Sequence, residues 1–273
     1  LHDLHKPVTA LLAGVGELVV MPRFRNLRAD EIVEKSRGEL VTVADHESEL
    51  RLHDGLATID PAARIIGEEA CAADPSLMND LGRGRIWIID PIDGTSNFAE
   101  GRQPFGMIIA LIEDGRTIAG WLYDPVAQRI CHAVAGGGAF IGDEPAVTRT
   151  VERQRPVATL ATQFMAATAR ERTHARAEQA FDLVPIPRCA AEHYPRLATG
   201  EYDVALFQRI LPWDHAAGAL FLTEAGGRVS RWDGSDYRID DHGTGLVAAA
   251  SDASWRLAMD VLKPGEPGFL AGE

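Results

Sequence analysis

Apolar positions near the start of the chain follow helical spacing twice. Residues 8–21, "VTALLAGVGELVVM", predict a helix that ends around Met21 and Pro22. "ELVTVAD" (39–45) alternates as a strand does. "DHESELRLHDGLATI" then returns to helical spacing, with Asp45 where an N-cap belongs. Two short apolar runs rich in β-branched residues, "ARIIGEEA" (63–70) and "GRIWIID" (84–90), predict strands. From 105 to 141 the pattern becomes strands broken by turn chemistry: "FGMIIALIED", "GRTIAGWLYDP", "QRICHAVAG" and "GGAFIGD", with "EDGR" and "YDPVAQ" between them. That sequence of strands and tight breaks predicts an antiparallel meander.

The polar stretch "RTVERQRP" (149–156) marks a boundary between an N-terminal α+β half, 1–150, and a C-terminal α/β half, 151–273. Beyond it the pattern alternates. Strands are expected at 157–162, 183–186, 203–207, 228–232 and 245–250, and helices at 169–181, 190–199, 214–225 and 252–262. Gly226 and Gly227 supply a C-terminal stop for the helix that begins at Asp214. Strands and helices in both halves predict a layered α/β protein.

Composition narrows the class. A hydrophobic fraction of 46% over 273 residues suits a globular chain with a real core. Acidic residues outnumber basic ones by 40 to 27, a formal charge of −13, which argues against nucleic-acid binding because no basic footprint exists. A small anionic substrate remains compatible if metal ions reverse the local field. Cys71, Cys131 and Cys189 are odd in number and widely spaced, so neither a disulfide framework nor zinc is indicated, and a reducing, cytoplasmic setting is expected. The N-terminal run is interrupted by His, Lys, Pro, Glu and Gly, which predicts neither a signal peptide nor a membrane span.

The chemistry concentrates in "GRIWIIDPIDGTSNF" (84–98). Its strand delivers Asp90, a turn at Pro91 brings Asp93 back beside it, and the Ile92 carbonyl points into the same space. Hard divalent cations such as Mg²⁺ take carboxylate and carbonyl oxygens of this kind. Gly94 permits close backbone approach, and the amides of Gly94 and Thr95 begin a helix whose N-terminus suits a phosphate. A capped turn is the plain alternative for an isolated DxxDGT. Two further segments weigh against it: "IIGEEA" ends a strand at Glu68 and Glu69, where a solvated turn is the plain alternative, and "PWDHAAGALFLTEAGG" sets Asp214 at a helix start, where an N-cap is the plain alternative. Glu68, Asp90, Asp93 and Asp214 all stand where a strand meets a turn or a helix begins, the place where open α/β folds gather ligands.

These segments, GEE, then WIIDPIDGTxNF, then WDxAAG with a following EAGG, resemble the two signatures of the inositol monophosphatase family, in family order, with similarity from about residue 10 to 262. The resemblance implies a five-layered α-β-α-β-α sandwich of the inositol monophosphatase / fructose-1,6-bisphosphatase type. It implies a Mg²⁺-dependent, often lithium-sensitive phosphomonoesterase holding two or three Mg²⁺, and a homodimer. It further implies Glu68, Asp90, the Ile92 carbonyl, Asp93 and Asp214 as metal ligands, with Thr95 and Asp45 activating the attacking water alongside Glu68. Lys35 falls where members carry a lysine ahead of the first strand. Substrate contacts are expected from Asp93, Gly94, Thr95, Arg188, Ala190, Phe207 and Asp214.

Two departures bear on the substrate. Members acting on inositol phosphates have a small G-S/T-A-A segment where this chain has "RCAAEHY" (188–194). They also carry a glutamate seven residues before the WD aspartate, where this chain has Phe207. Unpaired hydroxyls against Phe would cost about 1–3 kcal/mol each, which weakens polyol recognition. Arg188, with His193 and Arg209 as further candidates, points instead to a second anionic group or a base, as in a 3′,5′-bisphosphate nucleotide, a sugar phosphate or histidinol phosphate. Surface or interface contact is the plainer role for Arg188. Haloacid dehalogenase-type phosphatases share a strand ending in DxDGT, but D-P-I-D-G-T is one residue longer and misplaces the second Asp. A non-catalytic regulatory member of the family is the remaining alternative. "AGGGAF" (135–140) reads as a hairpin turn, and Trp87, Trp213 and His215 read as supporting residues.

Overall fold

The runs "IWII" and "MIIALI" are apolar at consecutive positions rather than alternate ones, so their strands must be covered on both faces. In the computed structural model, which describes residues 2–36, 38–240 and 243–263, that is what happens. The chain opens with α1 (His2–Val15), which passes through a π-turn at Gly16–Val20 into a last helical turn, α2 (Met21–Arg23). A two-stranded hairpin, β1 (Ile32–Ser36) and β2 (Glu39–Thr42), leads into α3 (Val43–Ile59). Then come β3 (Arg64–Gly67), α4 (Glu68–Ala73), β4 (Arg85–Asp93) and α5 (Thr95–Ala99). The meander follows as β5 (Gly106–Glu113), β6 (Arg116–Asp124), β7 (Arg129–Val134), β8 (Gly138–Ile141) and β9 (Glu144–Ala146). Strands β3 to β9 lie in sequence order in one seven-stranded sheet, parallel at β3/β4 and antiparallel elsewhere.

Past residue 156 the elements are β10 (Val157–Ala161), α6 (Ala167–Ala177), β11 (Asp182–Leu183), α7 (Ala190–Thr199), β12 (Val204–Phe207), α8 (Pro212–Glu224), β13 (Arg228–Arg231), β14 (Leu246–Ala249) and α9 (Asp252–Leu262). Their strands form a mixed five-stranded sheet in the order β11-β10-β12-β14-β13. Helices α1 and α3 cover the outer face of the larger sheet, where Leu12, Val19, Leu52 and Leu56 meet Trp87, Ile109 and Trp121. Helices α7 and α8 fill the space between the sheets. Helices α6 and α9 cover the outer face of the smaller sheet. The result is the five-layered α-β-α-β-α sandwich. Alternation is visible within β12, where Ala205 and Phe207 face the middle layer while Val204 and Leu206 face the outer one.

Several element boundaries differ from the sequence expectation. Strand β1 has only partly buried and exposed positions, so no apolar alternation marks it as a strand in the sequence. The first helix begins at His2 rather than residue 8, and over Asp3–Arg23 it is long and apolar enough to cross a membrane by length and composition, contrary to the expectation that no such run exists. Val8, Leu12, Val15, Val19 and Val20 of that helix are buried against α3 and the large sheet, which accounts for its apolar character by core packing. Strand β2 stops at Thr42, because the residues that alternate after it already belong to α3.

The AAG of "WDHAAG" has a packing role. Gly120 of β6 faces α8, and a Cβ there would lie 2.7 Å from Ala217 Cα, while the Tyr194 ring occupies the space above Gly218. Small residues on both sides let the helix sit close on the sheet. Replacing Gly120 with Ala is therefore expected to destabilise the chain by about 1–3 kcal/mol through overpacking against backbone, read as a lower urea midpoint with an unchanged slope.

Candidate functional site

Side chains three apart on a regular strand face opposite ways, so Asp90 and Asp93 should not share a site. In β4 they do. Asp90 pairs with Ile108 and Asp93 with Gly106, leaving Pro91 and Ile92 opposite Met107 alone. This is a β-bulge rather than the expected free turn, and the extra residue reverses the alternation. Proline fits because the bulge frees its position from the ladder. Ile92 sends its side chain into the core beneath α3 while both carboxylates reach the cleft. Gly94 follows at φ +82°, where a Cβ would also lie within 3.1 Å of the carbonyl oxygens of Arg188 and Pro104. Only glycine serves there.

Asp214 joins the pair from the first turn of α8. It is not the N-cap that its sequence context suggested: Leu211 holds that position, Pro212 follows as the first helical residue, and the carboxylate is left free to face the cleft. Oxygens of Asp90, Asp93 and Asp214 lie within 4.8 Å of one another. Glu68, the first residue of α4 rather than the end of a strand, lies beside them in the same cleft of about 220 Å³. Its carboxylate is held by Lys35 Nζ at 2.8 Å, and the same ammonium meets Glu69 at 2.6 Å.

Burial and mutual repulsion set the electrostatics. Asp90 and Asp214 are pushed well above the ordinary carboxylate range, first by desolvation and then by the charges of Glu68 and the neighbouring aspartates. Asp93 is raised to about 6 by burial, moderated by the Ala191 amide, which donates to its Oδ2 at 2.6 Å from the start of α7. Oδ1 of Asp90 is buried with no hydrogen-bond partner in the described structure. An orphaned anionic oxygen among three hard carboxylates fits a divalent cation, which would supply the missing partner.

Asp45 reaches the site as the third residue of α3. The N-cap is Thr42, not Asp45, and the two form a reciprocal capping box: Asp45 Oδ2 accepts from the Thr42 amide at 2.8 Å and from its hydroxyl at 2.6 Å. That leaves Oδ1 to face Thr95 Oγ1, 3.2 Å away, while the same hydroxyl lies 2.8 Å from the Ile92 carbonyl. Burial raises the Asp45 carboxyl to about 7.

The remaining candidates divide. Ala190 and the exposed Arg188 line the cleft, and Arg188, at φ +57°, makes no side-chain hydrogen bond or ion pair among the described residues. Phe207 lines the cleft but is only 5% exposed, enclosed by the rings of His193, Tyr194 and His215. His193 is buried and bonds Thr159 at 2.6 Å, and burial depresses its pKa to about 3, so it is not available to a second anion. Arg209 is held by Glu39 and stacks on the Phe164 ring at 4.0 Å. His215 is buried between Tyr194 and the Arg209 carbonyl, a supporting place next to Asp214 in the chain. The glycine-rich turn at 136–138 bonds the Glu224 carboxylate at the end of α8. Nothing local marks Glu39, Phe164 or the Ala191 amide, and only the packing of β2, the loop after β10 and α7 brings them to the cleft.

The signs of these shifts predict a pH effect. His193 and His215 are depressed to about 3 in the fold, and in the unfolded chain they are about half charged at pH 6.5. From pH 6.5 to 8 they add about 0.4 kcal/mol of stability each, which the four raised carboxylates Asp45, Asp90, Asp93 and Asp214 outweigh. Their folded pKa values are raised, to about 7 for Asp45 and about 6 for Asp93, so stability is lost as pH rises through those values. In EDTA the calorimetric melting midpoint is expected to fall from pH 6.5 to 8, and Asp90→Asn to stabilise the metal-free protein at pH 8 by about 1–3 kcal/mol.

The sequence model of the inositol monophosphatase family matches residues 2–263. Among curated proteins, the chain is 31% identical over 214 residues to inositol-1-monophosphatase of Bacillus subtilis, covering 75% of this chain and 77% of that one. It is 35% identical over 221 residues to inositol-1-monophosphatase SuhB of Mycobacterium tuberculosis, covering 77% and 73%, and 30% identical over 234 residues to the Nus factor SuhB of Xylella fastidiosa, covering 82% and 81%. Among solved structures, the extragenic suppressor protein suhB of Bartonella henselae superposes with a TM-score of 0.81 at 23% identity, over 97% of this chain and all of that one, which bears on the fold. With its whole described length matched and its acidic cleft assembled, the chain belongs to the inositol monophosphatase family of phosphoric monoester hydrolases.

Proposed function

We propose that the protein is a Mg²⁺-dependent phosphomonoesterase that hydrolyses a small phosphorylated metabolite by direct attack of water. The observation that carries this is the Asp90–Asp93–Asp214 cluster, with an unpartnered buried oxygen on Asp90, beside a Thr95 hydroxyl backed by a carboxylate of near-neutral pKa. Glu68, Asp90, the Ile92 carbonyl, Asp93 and Asp214 would hold Mg²⁺ in two or three positions, which supplies charge neutralisation, a more acidic water and a clamp on the phosphoryl oxygens. Asp45 Oδ1 accepts the proton passed through Thr95 Oγ1, with Oδ2 fixed by Thr42 so that the free oxygen keeps its aim. A base titrating near 7 is matched to that task at neutral pH. Gly94 and Thr95, at the start of α5, offer amides to the phosphoryl group.

Substrate choice follows from what is free in the cleft. Lys35 is occupied by two glutamates and Arg209 by Glu39, whereas Arg188 has no partner among the described residues. We infer a substrate whose alcohol portion carries a second anionic group facing Arg188, in preference to a neutral polyol, because Phe207 offers no acceptor for hydroxyls. A nucleotide 3′,5′-bisphosphate or a sugar bisphosphate meets that description better than inositol 1-phosphate. A non-catalytic role draws support from relatives that carry the name SuhB, one of them called a Nus factor, and the assembled acidic cluster speaks against it.

Phosphate release from inositol 1-phosphate, adenosine 3′,5′-bisphosphate, fructose 1,6-bisphosphate, histidinol phosphate and glycerol 2-phosphate, with Mg²⁺ and with EDTA, tests the reading. Mg²⁺-dependent turnover lost in Asp90→Asn is expected, and Thr95→Ala should lower kcat by about 10²–10⁴-fold. Turnover that survives EDTA would exclude the metal-dependent scheme. For Arg188→Gln, the ratio of kcat/KM between adenosine 3′,5′-bisphosphate and glycerol 2-phosphate should fall by about 10-fold or more, since a charge-assisted contact of about 1.5–3 kcal/mol is removed from one substrate only. An unchanged ratio would remove Arg188 from substrate selection.

A further inference from the structure

Helix α4 carries Glu68 yet lacks the means to hold itself. It spans only Glu68–Ala73, too short to be stable on its own propensity. Its N-cap residue is Gly67, which has no side chain to satisfy the open amides of the first turn. Those amides are satisfied from another helix. Glu49 of α3 places Oε2 2.8 Å from the Glu69 amide and Oε1 2.8 Å from the Ala70 amide, so one carboxylate grips two successive N–H groups. Gly67 is glycine for the same reason: a Cβ there would lie 2.2 Å from the Glu49 carboxyl carbon. Glu49 stands four residues after Asp45, one turn along α3, so a single helix face supports both Thr95, through Asp45, and the start of α4.

The geometry points to Glu49 as the positioning residue for Glu68: by capping α4 from outside that helix, it sets where the Glu68 carboxylate meets a divalent cation at the Asp90–Asp93–Asp214 cluster. This rests on the metal-binding reading above. The arrangement places a third acidic side chain beside Glu68 and Glu69, with Lys35 the cation paired to that pair among the described residues. Burial and the two neighbouring glutamates raise the Glu49 carboxyl, and the two amide bonds at the positive end of the short helix oppose that rise. Glutamine in its place keeps one acceptor but turns an amino group toward the second N–H, so the grip is halved and the helix start is free to rotate.

Mg²⁺ binding by calorimetry to metal-free protein is the test, with thermal unfolding run on the same samples. Glu49→Gln should bind Mg²⁺ about 10–100-fold more weakly than wild type while still unfolding cooperatively, the scale of losing a support behind a metal ligand. Glu49→Ala should do at least as badly. Adding Gly67→Ser to Glu49→Ala puts a cap in the helix's own N-cap position, where the departed carboxylate has left room, and should return the affinity to within about threefold of wild type. A merely space-filling role for Glu49 predicts no such recovery. Equal Mg²⁺ affinity in wild type and Glu49→Gln overturns the proposal. If Glu49→Gln does not fold, the double variant decides: folded with affinity restored supports the cap, folded with affinity absent overturns it. Wild-type protein that binds no Mg²⁺ overturns the metal reading itself, and this proposal with it, before any variant is compared.

Discussion

Like charges held close together in a buried place are the constraint on which this molecule turns. Asp90, Asp93 and Asp214 bring their oxygens within 4.8 Å of one another, with Asp90 almost wholly out of solvent. In the protein's own terms that is unfavourable: burial and repulsion drive the carboxyls toward their protonated forms. The arrangement persists because the backbone around it is over-determined. A bulge fixes the aim of Asp90 and Asp93, a left-handed glycine at Gly94 turns the chain away, and the Ala191 amide pins one oxygen of Asp93. Repulsion concentrated at one place marks where an added cation has most to offer.

Layering is what allows several distant segments to meet there. Strand β4 approaches from the seven-stranded sheet, β12 from the five-stranded sheet, and α7 and α8 from the helical layer between them. The helical layer can be thin because its contact residues are small, with Ala217 lying over Gly120 and Tyr194 over Gly218. Each acidic side chain of the cleft is thus carried on a strand or the first turn of a helix, where packing holds it, while Phe164, Arg188 and Arg209 come from loops and the hairpin β1–β2 brings in Lys35 and Glu39.

Helix capping and the lining of the cleft share atoms throughout the site. One oxygen of Asp45 closes the capping box with Thr42, and the other faces Thr95. Thr95 itself opens α5, and Glu68 opens α4. Groups that would satisfy a helix start in an ordinary protein are here aimed by it, which costs little extra structure because open amides at a first turn need acidic partners anyway.

How much of this could be read in the residues follows from the range of each interaction. Periodicity and turn chemistry marked the meander from β5 to β9 and the alternating elements of the second half, because those patterns are local. The apolar runs before Asp90 and Glu68, the DGT step and the WDxAAG segment marked the acidic cluster by occurring together in the order of one family, since each alone also suits a capped turn or a helix cap. Local cues misled where two roles fit one residue: Asp45 and Asp214 have N-cap chemistry, but each lies at the third helical position, because Thr42 and Leu211 occupy the caps. His193 looked available and is enclosed, since its exposure depends on the distant β10 and β12. The sequence by itself determined which residues carry the charge and that each acidic one stands near the end of a strand or the start of a helix. Only the tertiary structure decided which oxygen is free, which cation is already paired and which helix start is capped from a neighbour, for those outcomes rest on contacts between residues such as Glu49 and Ala70, or Arg209 and Glu39, whose meeting no local pattern encodes.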